Sequence, residues 1–202
     1  MGKLTAKHLT LMLVLCLPAL TMAGHVVTQP HSPAQLIKAL QGGGHIIYMR
    51  HGPTDLTQKD AAVGALENCS LQRNLSDAGR KLITDIGLKI KRLNIPVGKV
   101  FSSPFCRCQQ TAQLVFGEFS VIDHLKFSIT KNKEESKQLG DTLHDLFEQS
   151  PVNQNNQVFV GHTSNLRDGL GVWPKPEAVV VVFKKQNGQL IYKGMIKPGE
   201  WP

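Results

Sequence analysis

A chain of 202 residues, 41% of them hydrophobic, is long enough for one domain with a proper core and short for two. Its 23 basic and 15 acidic residues leave a formal charge of +8, a surplus that suits an anionic ligand or surface. Aromatic residues make up only 6% and no basic stripe interleaves with them, which argues against nucleic acid as a partner.

Residues 1–23 stand apart and read as a secretory signal peptide. Lys3 and Lys7 open it, Leu11 to Leu20 form an apolar run interrupted by Pro18, and Thr21-Met22-Ala23 offers a small-residue cleavage site. The run is too short to span a bilayer comfortably, and no second run of membrane length follows. Cys16 comes after Leu13-Val14-Leu15, not after the small residue that lipidation wants. The expected mature chain is therefore a single domain over 24–202, periplasmic or secreted, with no membrane span. Without Lys3 and Lys7 it carries 21 basic and 15 acidic residues, a charge of +6.

Gly24 to His31 reads as a polar leader. Ser32 caps a short helix with Pro33 at its first position and Leu36, Ile37 and Leu40 on its apolar side, ending at Gly42-Gly43-Gly44. His45 to Met49 is a buried strand, apolar and partly β-branched, and Arg50-His51-Gly52 stands at its end. Gly52 to Leu75 is a long connection without a sustained period, a length that in a compact domain usually marks function or disorder. Ser76-Asp77-Ala78-Gly79 caps the next helix, where Leu82, Ile83, Ile86, Ile90 and Leu93 recur at helical spacing. A second strand, Lys99 to Ser103, leads into a helix that begins at Pro104, with Ser103 as its cap, and carries Arg107, Gln110, Thr111 and Ala112. Ser120 to Phe127 reads as a further strand, and Glu134 to Phe147 as a helix with Leu139, Leu143, Leu146 and Phe147 inward. Polar Pro151 to Gln157 connects to a third strand, Val158 to His162, followed by a helix over Asn165 to Leu170. Ala178 to Phe183 and Leu190 to Ile196 form a hairpin around Asn187-Gly188. Strands alternating with helices predict an α/β fold, a layered sheet flanked by helices.

Cys69, Cys106 and Cys108 fit no zinc spacing, and in an exported chain a disulfide is the expected use. Cys69 is predicted to pair with Cys106, leaving Cys108 free or buried. His25, His31, His45, His124 and His144 receive no role, and Trp173 and Trp201 are assigned to packing or to a pocket rim.

Ligands in open α/β sheets sit beyond the carboxyl ends of strands. Arg50, His51, Arg107 and His162 all stand there, and two arginines with two histidines suit a dianionic phosphoryl group. Arginine pairs phosphate oxygens with a planar fork and stays charged. Histidine can attack phosphorus when one ring nitrogen is bare and the other is held by a carbonyl. The cations are side chains, so the expected chemistry needs neither metal nor cofactor. A carboxylic acid near the leaving oxygen would complete the set.

The three stretches that carry these residues resemble the histidine phosphatase superfamily: Arg50-His51-Gly52; Ser102-Ser103-Pro104 running to Arg107 and Gln110-Thr111-Ala112; and Gly161-His162. The resemblance spans nearly the whole mature chain. It implies a three-layer α/β/α fold of the phosphoglycerate mutase type, with a mostly parallel sheet. It also implies His51 as nucleophile, with Arg50, Arg107 and His162 forming the phosphate pocket. The proton donor departs from the pattern. Many relatives place a glutamate after the second arginine and others an aspartate directly after the second histidine, but here Thr163 follows His162. Asp55 is taken as the donor, with Asp60, Glu118, Asp123, Glu134 and Glu135 as alternatives; Arg73 and Asn165 are further candidates for the pocket lining. The expected function is an exported phosphomonoesterase acting on a small phosphorylated substrate, a sugar phosphate or envelope component, through phosphohistidine. A phosphohistidine protein phosphatase and a non-catalytic phosphate-binding envelope protein are the alternatives. Nothing in the sequence fixes the oligomeric state.

Overall fold

A computed structural model describes residues 26–61, 66–127, 132–151 and 153–202; the expected signal peptide, residues 1–23, lies outside them. Seven strands form one sheet: β1 (Val27–Thr28), β2 (Ile46–Arg50), β3 (Val97–Ser102), β4 (Ser120–Val121), β5 (Asn156–Gly161), β6 (Val180–Gln186) and β7 (Gln189–Ile196). Their order across the sheet is β1-β7-β6-β2-β5-β3-β4. Four of the pairings are parallel, and β6 runs antiparallel to both β2 and β7. Five α-helices are described: α1 (Pro33–Gln41), α2 (Asp77–Arg92), α3 (Cys106–Phe116), α4 (Lys133–Gln149) and α5 (Thr163–Leu170). None of the described helices is long and apolar enough to cross a membrane.

The strands alternate their side chains between two cores. Ile47 and Met49 of β2 face α1, α2 and α3, meeting Leu36, Ile83, Ile86 and Ala112. Ile46 and Tyr48 face α4 and α5, meeting Leu143, Phe147 and Leu166. This is the expected three-layer α/β/α architecture. Each fully buried aliphatic side chain contributes roughly 1.5–3 kcal/mol to it. Gly87 lets α2 approach α3, since a Cβ there would stand 2.9 Å from Val115 Cα.

Several local expectations need correction. The polar leader contains β1, which adds a parallel strand to the edge of β7. Helix α3 starts at Cys106 rather than Pro104, and its cap position is Phe105 without a side-chain bond. Ser120 to Phe127 yields only a two-residue strand, followed by a 3₁₀ turn over Asp123–Leu125. Strand β5 begins two residues early, inside the polar connector. Asn156 is buried there because its Nδ2 donates to the carbonyls of Leu40 and Pro96 and its Oδ1 accepts from His45 N–H. A polar residue so satisfied behaves as core.

The long connection after β2 is fastened along its length. Thr54 bridges to Leu75, Gln72 Oε1 accepts from Cys106 N–H, and Cys69 and Cys106 form the expected disulfide across 37 residues. Cys108 is free and buried. Closing a loop of that length lowers the entropy of the unfolded chain by roughly 4 kcal/mol equivalent. Cys69→Ser is therefore expected to lower unfolding free energy in urea by about 2–4 kcal/mol, and a reductant should then cause no further loss.

Candidate active site

Parallel strands β2 and β3 flank β5, so three carboxyl ends open side by side. From them emerge Arg50 and His51, then Ser103 with Arg107 in the first turn of α3, and then His162. The expected convergence is present: the rings of His51 and His162 lie 5.4 Å apart, edge to face.

His51 is 3% exposed. Its backbone N–H donates to Gly161 carbonyl and its own carbonyl accepts from Ala178 N–H, which locks the residue between β5 and the start of β6. The Nδ1 atom lies 2.9 Å from the carbonyl of Gly52. A carbonyl can only accept, so Nδ1 carries the proton and Nε2 is left with its lone pair. Burial first, and then the Arg107 guanidinium, push the imidazole well below its usual pKa; the bond to Gly52 opposes them only in part. Gly52 is itself positioned by Thr111, whose Oγ accepts Gly52 N–H and donates to Arg107 carbonyl.

Arg107 is fully buried. Its Nη1 donates to Asp60 Oδ1 at 2.8 Å and to Arg73 carbonyl at 3.3 Å. The guanidinium lies over the Phe105 ring at 4.5 Å and near the Phe127 ring at 5.7 Å. Nε and Nη2 are buried with no partner among the described residues. Arg50 pairs with Glu177 at 3.1 Å and donates to Pro174 carbonyl, and its Nε is likewise unpartnered. Orphaned, buried N–H groups on two cations, one fully and one partly buried, are costly unless a ligand takes them.

His162 is fully buried, with Phe105 and Phe127 packed at 5.0 Å each. Burial, then Arg107, then His51 depress its pKa well below the usual value. Its N–H donates to Asn165 Oδ1, its carbonyl accepts from Tyr48 O–H, and its Nε2 lies 2.9 Å from Ser103 Oγ. Gly161 makes room for this network, because a Cβ there would lie 2.2 Å from Tyr48 Oη. The buried Cys108 sulfur, 3.5 Å from Nε2, has its pKa pushed up to about 12 by burial and stays a thiol.

Sequence reasoning placed four residues in the cluster and structure brings all four together. The donor is another matter. Asp55 lies apart in a turn: its carboxylate accepts from Thr57 N–H, Thr57 O–H and Gln58, and the Thr57 bonds lower its pKa. Its carboxylate is thus engaged within its own turn and makes no contact with Arg107 among the described residues. Glu118, Asp123, Glu134 and Glu135 are exposed, and Asp123 pairs with Lys126. Asp60 is the sequence candidate that the fold carries onto Arg107. Arg73 adds a third positive charge acting on both imidazoles, while Asn165 is buried and also donates to Lys126 carbonyl. Glu177, Ser103, Tyr48 and Thr111 join the site without a role predicted from sequence. Ser103 and Thr111 do stand in the stretches that carry the family resemblance, Ser103 as an expected helix cap; Glu177 and Tyr48 carry no such signal.

Residues 46–129 match the model of the histidine phosphatase superfamily (branch 1). Among solved structures, the protein histidine phosphatase SixA complexed with tungstate is 17% identical, with 78% of this chain and 99% of that chain covered and a TM-score of 0.51. The phosphoserine phosphatase of Entamoeba histolytica in complex with 3-phosphoglyceric acid is also 17% identical, over 76% and 96% of the two chains, with a TM-score of 0.57. The Rv3214 product of Mycobacterium tuberculosis gives 16%, 73%, 94% and 0.54 in the same terms. These likenesses show the fold. No curated protein matches the chain at a significant level.

Two buried, depressed imidazoles leave a signature in stability. In the unfolded chain they take up protons near pH 6.5, whereas in the folded chain His51 and His162 resist them. Unfolding then binds protons, and stability falls as pH drops below about 6.5, by up to ~1.4 kcal/mol per pH unit for each imidazole. Urea unfolding between about pH 7.5 and 5 should show this slope, and His51→Asn should flatten it by one imidazole's share.

Proposed function

From a chain whose residues 46–129 match the model of the histidine phosphatase superfamily, we infer an exported phosphomonoesterase that works through phosphohistidine on His51. The observation that carries this reading is the bare Nε2 of His51 beside a buried Arg107 with two nitrogens, Nε and Nη2, unpartnered among the described residues. A tetrahedral dianion seated on Arg107 and Arg50 would find donors for its oxygens and a lone pair for its phosphorus. The tungstate held by SixA is such a tetrahedral oxyanion, which supports the same use here.

Nε2 attacks phosphorus, the P–N bond forms, and the bond to the leaving oxygen breaks with its electron pair on that oxygen. Arg50, Arg107 and His162 stabilise the charge spread over the equatorial oxygens. No metal is required, because these side chains supply the positive charge. Water then attacks phosphorus, the P–N bond breaks, and His51 regains its lone pair as inorganic phosphate leaves. The leaving oxygen needs a proton, and we assign its delivery to Asp60 instead of Asp55, on its contact with Arg107. A phosphoryl group that enters as the monoanion and takes over the guanidinium would pass its proton to the displaced carboxylate. Asp60 would then give that proton to the leaving oxygen and later take one from the attacking water. Export rests on residues 1–23 and on the disulfide, which suits an oxidising compartment. A compact domain at that location suits a small substrate, a sugar phosphate or an envelope component.

A phosphohistidine protein phosphatase is the second reading. It draws on the engagement of Asp60 and Glu177 as ion-pair acceptors. An imidazole leaving group, with a conjugate acid near pKa 6.5, needs less help from an acid than an alkoxide does.

Purified protein is expected to hydrolyse a chromogenic aryl phosphate, and His51→Ala to reduce turnover to background. Binding of phosphate without turnover of aryl, sugar or phosphohistidine substrates would instead mark a non-catalytic binder. Asp60→Asn should slow alkyl phosphates about 10²–10⁴-fold while sparing aryl phosphates, whose leaving group needs little protonation. Equal losses on both substrates would remove Asp60 as donor.

A further inference from the structure

The end of the sheet opposite the imidazoles carries a second group of cations. Strand β2 enters at His45 and leaves at Arg50, so the two ends lie roughly 16 Å apart. Register brings the cations together. Ile46 pairs with Phe183 and runs antiparallel to it, which sets Lys184 beside His45. In the next pairing Val182 meets Gly194 and Phe183 meets Tyr192, so Lys193 is the residue that the ladder skips. Such a bulge re-aims its side chain. Lys38 comes in from α1, and His31 from the segment after β1, where its N–H donates to Lys193 carbonyl.

These five side chains line an open cleft of about 360 Å³ that has no carboxylate in its lining. None of Lys38, Lys184 and Lys193 forms an ion pair among the described residues. Lys193 is only 9% exposed, and its Nζ donates to a neutral acceptor, Gln29 Oε1, at 3.1 Å. His45, 6% exposed, has its Nδ1 fixed on Gly43 carbonyl at 2.8 Å, which leaves Nε2 as its second ring atom. Burial and then Lys184, with Lys193 and His31 behind it, hold the His45 pKa below its usual value. Like charges on adjacent strands repel and destabilise the sheet. A built cluster of this kind, one member of it a lysine nine-tenths buried, lacks only its counter-charge.

We propose that this cleft is a second anion-binding site, separate from His51, that takes a phosphate-type oxyanion between Lys38, His45, Lys184 and Lys193. Ammonium groups suit phosphate as point charges. The same group is offered by a free anion and by an anionic lipid headgroup, and the basic surplus of the chain suits either.

The His45 ring resonances report on the site directly. Inorganic phosphate titrated into the protein at constant pH should shift them saturably and raise the pH at which His45 titrates. Lys38→Gln/Lys184→Gln should weaken that response about tenfold, since it removes two of the charges that would face the anion. Turnover of aryl phosphate should stay unchanged, because neither lysine belongs to the catalytic cluster. Co-sedimentation with phosphatidylglycerol vesicles but not phosphatidylcholine vesicles, lost in the double variant, would identify a headgroup as the source. A phosphate response without vesicle binding would identify a soluble anion. If the double variant fails to fold, Lys184→Gln alone, at a half-buried position, serves the same comparison. No saturable shift of His45, or equal affinity in parent and variant, overturns the proposal.

Discussion

One charge with no access to water governs the architecture at the catalytic end. The Arg107 guanidinium is fully buried, and an isolated cation in such a place would cost far more than a domain's net stability. Everything around it lowers that cost: Asp60 on one nitrogen, the Arg73 carbonyl beside it, and aromatic faces at 4.5 and 5.7 Å. The same charge adds to what burial does to its neighbours. Burial first, and then Arg107, keep His51 and His162 from taking up protons, and a neutral imidazole is what nucleophilic attack needs. Burial, charge and chemistry are therefore one arrangement.

The sheet order makes that arrangement achievable. Strand β5 runs between β2 and β3, so residues more than a hundred positions apart become neighbours. Helix α3 begins only four residues after β3 ends, which keeps Arg107 close enough for its charge to act on both imidazoles. The long connection after β2 then folds back over the helix start. Its disulfide joins Cys69 to the residue immediately before Arg107, so the strap and the buried cation share one anchorage.

Much of this could be read from the chain. Apolar runs ending in Arg50-His51 and Gly161-His162 announced buried strands with reactive ends, and the isoleucines of α2 announced their helix by spacing. What escaped was set by contacts distant in sequence. Asn156 and Gln157 looked like loop because they are polar, yet the carbonyls of Leu40 and Pro96 make Asn156 a core residue. Asp55 was favoured for being four residues from His51, but its own Thr57 and Gln58 draw the carboxylate into a local turn. Asp60 sits farther along the chain and reaches the arginine only through the tertiary fold. Ser103 had the look of a cap, and the structure gives its hydroxyl to His162. His31 and His45 looked idle because their companions, Lys184 and Lys193, are well over a hundred residues away.

The carboxylate that sits on Arg107 has a consequence for selectivity. A guanidinium that already has a counter-ion on one nitrogen attracts a singly charged anion less than a bare one would. A chloride or a carboxylate offers the guanidinium no more charge than Asp60 already supplies, so such ions gain little by entering. A doubly charged guest gains more, and its arrival frees the resident acid from its post. The pocket thus sorts visitors by valence before it examines their shape.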